Sequence, residues 1–364
     1  MSSSLVGDIL AIALFVVATF GVLCGFPIAF SLAGFSLLFA ALGWALGVFD
    51  PIFLTSLPSR YFGLMTNEVL VAVPLFIFMG AVLERSKIAE ALLETMGQLF
   101  GTLRGGLAIS VVVVGALLAA STGVVGATVV TMGLISLPAM MRAGYDPKLA
   151  TGVICASGTL GQIIPPSVIL IFVGDLLMGA NQLAAQRTGK PLDPVSVGDL
   201  FAGAFLPGLC LVVLYILYII GLAFVRPKDC PALVMDDAQR ASLGRRFVRA
   251  LIPPLLLIVA VLGSILAGFA TPTEAASIGA VGSMILAAFN RAFSFATLLA
   301  VMRNTAVISA LVFAIVLGVS VFSLVFRGLG GAHLVQMVLS HVPGGQQCEV
   351  RAPLVHRLRR RVSA

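Results

Sequence analysis

The sequence predicts an all-α, polytopic membrane protein, on three observations. Hydrophobic residues make up 60% of the 364 residues and charged residues only 10%, whereas soluble domains carry about 25% charged residues. The uncharged runs are continuous rather than alternating, which favours helices over a membrane barrel. Each run is long enough for a bilayer crossing or close to it, since a crossing takes about 20 apolar residues of helix. The runs are residues 9–48, 105–141, 149–174, 200–225, 250–273 and 304–326.

The distribution of charge and cysteine narrows the function classes. The net charge is +7, but Lys and Arg lie mostly between the runs and at the C-terminus, which indicates a role in membrane topology rather than nucleic-acid binding. The five cysteines form no CxxC pair, so the sequence predicts neither a zinc site nor a disulfide framework. There is no Walker loop, HExxH motif or acidic metal cluster. We therefore expect no enzyme, no ATP hydrolysis and no cofactor.

The first apolar run, residues 9–48, must hold two spans. As one helix it would be about 60 Å long, twice the hydrocarbon thickness. The break is expected at Gly25-Phe26-Pro27, because proline ends the preceding helix and suits the first turn of the next. Residues 50–60 are too polar to cross, and residues 69–83 re-enter the membrane. Residues 1–8 are expected to lead into a retained span.

Residues 88–100 follow an amphipathic pattern. Ile88, Leu92 and Met96 fall on one helical face, and Glu90 and Glu94 on the other. Such a helix either lies along the membrane interface or is a connector packed on the protein, and the sequence favours neither.

Residues 105–141 form an uncharged run of about 55 Å if helical, which is too long for one crossing. Its centre, residues 121–128, is rich in glycine and hydroxyl side chains. The run is either two full spans with a short turn or a re-entrant hairpin. The composition of the centre favours the hairpin, because non-helical backbone at membrane depth must be buried in protein.

A second interruption is predicted at residues 156–167. Before it, Asp146 can cap and Pro147 can open a helix. Within it, Pro165 and Pro166 lack amide hydrogens and disfavour helix in the residue before each. A single helix therefore cannot run through this segment.

The later part of the chain alternates spans with two polar segments. Residues 181–199 form a polar, nearly neutral loop, and residues 226–249 a basic one, so the basic loop is expected in the cytoplasm and the other outside. Spans are expected at residues 251–269, 274–289 and 304–326.

Two acidic residues are candidate functional groups, and each also has a structural explanation. Asp175 lies in an apolar stretch, so it is either an intramembrane functional acid or a residue that reaches the outer interface. Glu274 fits a capping box in which Thr271 is the N-cap. The three histidines show no metal-ligand spacing and receive no role.

Two interrupted helices close in sequence are typical of a transporter site. Carbonyl groups exposed by glycine, together with Ser and Thr hydroxyls, offer the oxygen ligands that sodium prefers. The helix that starts with Ser167 would direct free amides at a carboxylate. Close packing of helices through small residues explains the same composition equally well. The candidate sodium ligands are Ser121, Thr122, Gly123, Gly158, Thr159 and Gly161.

Four segments in order resemble one family, the large membrane subunit (DctM-like) of tripartite ATP-independent periplasmic (TRAP) transporters. The resemblance covers residues 8 to 345, and its parts are 73–80 (VPLFIFMG), the hairpin centre, 156–167 (ASGTLG with IPPS) and 270–276 (ATPTEAA).

The resemblance implies a sodium-coupled importer of small organic carboxylates in the bacterial inner membrane. It implies an elevator-type transporter built from two inverted repeats, each with a re-entrant hairpin and an interrupted helix. A small membrane subunit and a periplasmic substrate-binding protein would be its partners. The sodium ligands would be those given above, and Thr128, Pro165, Pro166 and Ser167 would lie near the substrate. The long loop at residues 181–199 resembles the branch associated with 2-oxo acid and related substrates.

The resemblance departs from the family at the C-terminal end. Residues 346–364 form an arginine-rich tail, and the second inverted repeat is expected to be truncated, although a basic cytoplasmic tail is the milder alternative. The alternative function is then a non-transporting membrane scaffold fragment of the same complex. The predicted segments are N-terminal spans and interfacial arm (1–104), first transport repeat (105–180), loops and spans (181–290), start of the second repeat (291–345) and tail (346–364).

Overall fold

The computed structural model describes residues 3–86, 88–122, 125–188, 195–232 and 237–341. These residues form helices and connecting turns without a strand, which confirms the predicted all-α class. The chain divides into two compact units, residues 1–66 with 310–364 and residues 67–309. The predicted tail at 346–364 lies outside the described residues, and the five predicted segments stay a prediction.

The described residues form fourteen α-helices, joined in three places by 3-10 turns at Pro51–Ser56, Glu68–Val71 and Leu160–Gln162. The helices are α1 Ser3–Leu23, α2 Ile28–Ala45, α3 Leu57–Met65, α4 Ala72–Arg85, α5 Ile88–Phe100, α6 Gly106–Thr122, α7 Val125–Arg142, α8 Pro147–Thr159, α9 Val168–Thr188, α10 Val197–Val225, α11 Asp237–Leu266, α12 Pro272–Phe289, α13 Phe295–Gly328 and α14 Gly331–His341.

The first unit contains α1 to α3, the second half of α13, and α14. The chain leaves α1 through Gly25, whose φ of +88° suits a residue without Cβ, and Pro27 directly precedes α2. The predicted break in the first apolar run is thus confirmed. The helices close around a small apolar core of Ala11, Leu14, Ala40, Phe49, Val321, Val325 and Leu329.

The second unit is organised around α6, which packs against α4, α5, α7, α8 and α10. A second close pair is formed by α4 and α12. At that contact a Cβ on Gly279 would come within 2.6 Å of the Met79 sulfur, so the two helices approach closely because this position is glycine.

Six described helices are long and apolar enough to cross a membrane: α1, α2, α9, α10, α12 and α13. The hairpin helices α6 and α7 are not among these six. With 17 residues in α6 and 18 in α7, each is about 26 Å long at 1.5 Å per residue, slightly less than the ~30 Å hydrocarbon core. The choice between a re-entrant hairpin and two full spans stays a prediction.

Both polar segments of the later chain are more helical than predicted. Helix α9 continues to Thr188, and α11 begins at Asp237, so the predicted loops at 181–199 and 226–249 are wrong in extent. The reason is local composition, because alanine, leucine, glutamine and arginine dominate these stretches and all favour helix. Hydrophilic residues lengthened the helices here instead of ending them.

Helix α5 packs on the protein. Leu92, Leu93 and Met96 are almost completely buried, and the helix lies against α6 and α11. The Ser110 hydroxyl of α6 donates a hydrogen bond of 2.7 Å to the Met96 carbonyl. Since its apolar face is covered by other helices, the structure supports the connector alternative over the interfacial arm.

Candidate functional site

The predicted interruption after α8 is present. Asp146 caps α8 by accepting a 2.7 Å hydrogen bond from the Lys148 amide, and Pro147 opens the helix, both as predicted. After Thr159 the chain makes one 3-10 turn, passes through the cis Pro165–Pro166 peptide and enters α9 at Val168. We call residues 160–167 the α8–α9 break. Its prolines supply no amide hydrogens, so the helical ladder stops there.

Most of the α8–α9 break is buried inside the second unit. Leu160, Gly161, Pro165, Pro166 and Ser167 are all buried, and the 3-10 turn packs against both hairpin helices, α6 and α7. Non-helical backbone in a membrane protein needs such cover, because lipid cannot satisfy its polar groups. The break is therefore surrounded by protein on the sides formed by the hairpin helices.

Glycine allows the helices around the break to approach one another. A Cβ on Gly158 would collide with Val129 of α7, and a Cβ on Gly115 of α6 would lie 2.7 Å from the Ser157 Cβ of α8. Close helix packing therefore explains the glycine at position 158, and its role as a sodium ligand stays a prediction. Sequence reasoning missed Gly115, Val129 and Ser157, since spacing alone does not identify a partner on another helix.

The hydroxyl groups at the break already make local hydrogen bonds. The Thr159 hydroxyl donates to the Ala156 carbonyl at 2.8 Å, and its oxygen lone pairs stay available to a cation. The Ser167 hydroxyl donates to the Gln162 carbonyl at 2.9 Å and accepts a 3.4 Å hydrogen bond from the Leu170 amide. Ser167 therefore caps α9, and in this conformation its single proton is not free for a substrate.

The structure brings Thr128 close to the break but describes the hairpin tip only in part. Thr128 is 3% exposed on α7, and the next residue, Val129, contacts Gly158. Ser121 and Thr122 are the last residues of α6, and Gly123 lies outside the described residues. Whether these three positions meet Gly158, Thr159 and Gly161 around an ion stays a prediction.

A carboxylate contact to the hairpin was missed by sequence reasoning. Glu84 near the end of α4 accepts a 2.5 Å hydrogen bond from the Thr131 hydroxyl of α7. Arg85, Thr131 and Asn304 line a cavity of about 460 Å³ beside it. Thr131 follows Thr128 by one helical turn, so this contact fixes the hairpin helix that carries a predicted substrate residue.

Asp175 and Glu274, the two acidic residues discussed from the sequence, both have hydrogen-bond partners within the protein. Asp175 accepts a 2.8 Å hydrogen bond from the Asn67 side chain, in the turn just before Glu68–Val71, which supports the interface alternative for this carboxylate. Glu274 completes the predicted capping box, in which Thr271 accepts a hydrogen bond from the Glu274 amide and the Thr271 amide donates to the carboxylate at 2.8 Å. This prediction is confirmed in every position.

Charges separate to the two ends of the second unit. At one end the turns after α5, α7 and α10 meet, since the Asp146 amide donates to the Asp229 carbonyl at 3.3 Å and the Gly105 amide to the Cys230 carbonyl at 3.2 Å. Beside Asp146 and Asp229, this end carries five cations, Arg104, Arg142, Lys148, Arg226 and Lys228. The opposite end carries Glu68, Asp175, Asp199 and Glu274. The positive-inside rule predicts that this end faces the cytoplasm, and we call it the cytoplasmic end.

Burial at the cytoplasmic end shifts two ionisable groups that lie in turns. Desolvation raises the pKa of the Tyr145 phenol to about 12. Desolvation, followed by the neighbouring Asp229 carboxylate, raises the pKa of the Cys230 thiol. Both groups are therefore neutral at physiological pH and contribute packing rather than charge.

A many-helix membrane chain whose broken helix is buried against a helical hairpin is typical of membrane transport proteins. The chain belongs to the DctM family: the family model described as the DctM component of tripartite ATP-independent periplasmic transporters matches residues 12–351. The match extends six residues past the predicted end of the resemblance at 345. The chain is thus a transporter permease sequence of the bacterial inner membrane and not an enzyme.

Curated relatives agree with this assignment. The C4-dicarboxylate TRAP transporter large permease protein DctM of Pseudomonas aeruginosa is 35% identical over 66% of this chain and 52% of its own length. Its counterpart in Vibrio cholerae is 34% identical over 77% and 56%. The ectoine TRAP transporter large permease protein TeaC of Halomonas elongata is 29% identical over 81% and 63%. The chain spans about half the length of the first two relatives.

Proposed function

We propose that this chain acts as the large permease subunit of a sodium-coupled TRAP transporter that imports small organic carboxylates. Its partners would be a small membrane subunit and a periplasmic binding protein, the general arrangement of the family. The observation that carries the proposal is the buried α8–α9 break packed between the hairpin helices. A purely structural subunit would not need this break, because an uninterrupted helix would pack in the same place.

The polarity of the break supports a cation on one side and an anion on the other. The C-terminal end of α8 carries the negative end of its helix dipole and the Thr159 hydroxyl, which favour a cation such as sodium. The N-terminal end of α9 carries the positive end, which favours a carboxylate. Sodium bound first would order the segment on which the anion depends. The relatives' names mention C4-dicarboxylates and ectoine, which share a carboxylate, and 2-oxo acids fit the same chemistry.

A binding experiment tests sodium without requiring transport. Purified protein in detergent should unfold at a higher temperature in NaCl than in KCl of equal ionic strength. Thr159→Val removes the hydroxyl and keeps the shape, so we expect about tenfold weaker sodium affinity, the effect of losing about 1.4 kcal/mol. Thr151→Val is the matched control, because the Thr151 hydroxyl lies on the same helix and bonds to the Pro147 carbonyl at 2.8 Å.

Uptake then separates the carrier from the scaffold alternative. Vesicles that contain this chain, the small subunit and the binding protein should accumulate labelled carboxylate only with an inward sodium gradient. Accumulation that is indifferent to sodium would refute the coupling. Sodium binding with assembly but without uptake would favour the scaffold fragment.

A further inference from the structure

A cavity of about 540 Å³ lies at the cytoplasmic end of the second unit, away from the α8–α9 break's prolines. Helices α8 and α10 form its walls, and each packs on α6, which supplies the floor through Val112. The walls are mostly apolar. They are formed by Leu149, Gly152, Val153, Ala156, Ile219 and Leu222.

The cavity has a charged rim with balanced signs. Lys148 and Arg226 supply two positive charges, and Asp146 and Asp229 two negative ones. The Asp146 carboxylate already caps α8 through the Lys148 amide, so Asp229 is the carboxylate left to meet a ligand cation. A ligand that complements this rim carries both a negative and a positive group.

The surface of α10 beside the cavity is apolar and suits contact with lipid rather than with water. Tyr215 and Tyr218 also line the cavity, and each combines an apolar ring with a hydroxyl that can meet a polar group. On the same helix Leu214 and Leu217 are more than half exposed, an apolar surface that the bilayer covers. An acyl chain can therefore enter sideways from the membrane while its headgroup stays at the rim.

We propose that this cavity binds a zwitterionic aminophospholipid. Its phosphate contacts Lys148 and Arg226, its ammonium contacts Asp229, and one acyl chain lies along α8 from Lys148 to Ala156. The eight residue-to-residue steps from Lys148 to Ala156 span about 12 Å, which suits the upper part of an acyl chain. Purely basic pockets between membrane helices on the cytoplasmic side bind anionic lipid headgroups. Here Asp146 and Asp229 balance the two cations, which favours a headgroup without net charge.

The position of the acyl chain links the lipid to the α8–α9 break. The upper part of the acyl chain reaches Ala156, whose carbonyl accepts the hydrogen bond from the Thr159 hydroxyl. A bound lipid thus covers the last turn of α8 and stabilises the helix where it stops. The inference rests on membrane embedding and not on transport, so its failure would leave the proposed function intact.

Lipid binding is tested on the delipidated full chain in detergent, with phosphatidylethanolamine, phosphatidylglycerol and inorganic phosphate as probes. Native mass spectrometry should show one tightly held phosphatidylethanolamine, bound about tenfold more tightly than phosphatidylglycerol. Phosphate alone should neither bind measurably nor raise the unfolding temperature, since most contacts are to the acyl chain. Equal or tighter binding of phosphatidylglycerol, or equal stabilisation by phosphate, would overturn the proposal.

Variants locate the site. Gly152→Leu fills the cavity without a clash, because a Cβ there meets nothing within 4 Å, and it should abolish the tight lipid while the protein stays folded. Gly179→Leu, on exposed α9 surface with equally open space, is the matched control and should bind lipid normally. Unchanged lipid binding by Gly152→Leu would refute the cavity as the site.

Headgroup variants test the charge assignment. Arg226→Gln should weaken phosphatidylethanolamine binding about tenfold. Asp229→Asn should remove the preference for phosphatidylethanolamine over phosphatidylglycerol, because the ammonium loses its carboxylate. If Asp229→Asn kept the full preference, the ammonium contact would be wrong.

Discussion

Two interruptions of the helical chain use similar residues and have different surroundings. The α1–α2 turn, residues 24–27, contains Gly25 and Pro27, and the α8–α9 break contains Gly161 and two prolines. In the turn, Phe26 is 62% exposed, whereas Ser167 in the break is completely buried. Glycine and proline thus mark where a helix stops, and burial by other helices decides whether the stop is a surface turn or part of a site.

The largest expected difference in stability is between Gly158→Leu, beside the α8–α9 break, and Gly25→Leu, in the α1–α2 turn. Gly158→Leu places a side chain where even a Cβ collides with Val129, so we expect destabilisation of about 3 kcal/mol or more and loss of a monodisperse protein. Gly25→Leu meets open space and only the unfavourable positive φ, about 1–2 kcal/mol. Thermal unfolding in detergent compares the two, with Gly34→Leu, a helical glycine in open space, as control. Equal losses at both glycines would contradict the comparison.

Removing a buried hydroxyl at the α8–α9 break should reduce stability more than removing an exposed hydroxyl on α1. Ser167→Ala removes the hydroxyl that donates to the partly buried Gln162 carbonyl and removes the α9 cap, which destabilises by about 1–2 kcal/mol. Thr19→Val on α1 removes an exposed hydroxyl that bonds within its own helix and should be nearly neutral. The unfolding temperatures of both variants provide the measurement, and an equally neutral Ser167→Ala would show that the hydroxyl of Ser167 does not stabilise the break.

The exposed N-terminus of α12 should show a loss of stability between these two. Thr271→Ala removes the N-cap of α12 and should cost about 0.5–1 kcal/mol, which is less than Ser167→Ala because water replaces the lost bonds. Thr271→Ser keeps the hydroxyl and should retain most of the stability. A larger loss at Thr271 than at Ser167 would mean that burial does not set the order.

The smallest effect concerns reactivity rather than stability. Cys230 is completely buried, and desolvation raises the pKa of its thiol, so it should react with maleimide much more slowly than an exposed thiol, since thiolate is the reactive form. The experiment compares a chain that keeps Cys230 alone with a cysteine-free chain carrying Lys228→Cys at the exposed neighbour. Denaturation should equalise the two rates. Equal rates before denaturation would show that the cytoplasmic turn is open.

Local chemistry made several elements predictable from the sequence. The cap at Asp146, the capping box at Thr271 and both helix interruptions lie where the residues indicate, because a cap or a proline acts within one turn of helix. The extents of the polar segments were wrong. Polar residues that favour helix continue α9 to Thr188 and start α11 at Asp237, so polarity alone did not locate the helix ends.

Contacts between distant parts of the chain were not predictable. Nothing in the sequence pairs Thr131 with Glu84 or Asn67 with Asp175. The chain contains many polar side chains, and a single sequence does not show which helices are neighbours or how they are aligned. The amphipathic pattern of α5 showed that one face would be buried but not whether lipid or protein would cover it. Packing against α6 and α11 resolved that choice.

By itself the sequence determined that the chain is a membrane protein, where two of its helices are capped and where the α1–α2 turn and the α8–α9 break fall, and which end of the second unit carries the positive charge. These features depend on composition and on residues within a few positions of one another. Only the tertiary structure decided that the α8–α9 break is enclosed by the hairpin helices and that α8 and α10 leave a cavity between them. Burial is a property of what covers a residue, and at the break the covering helices belong to another part of the chain.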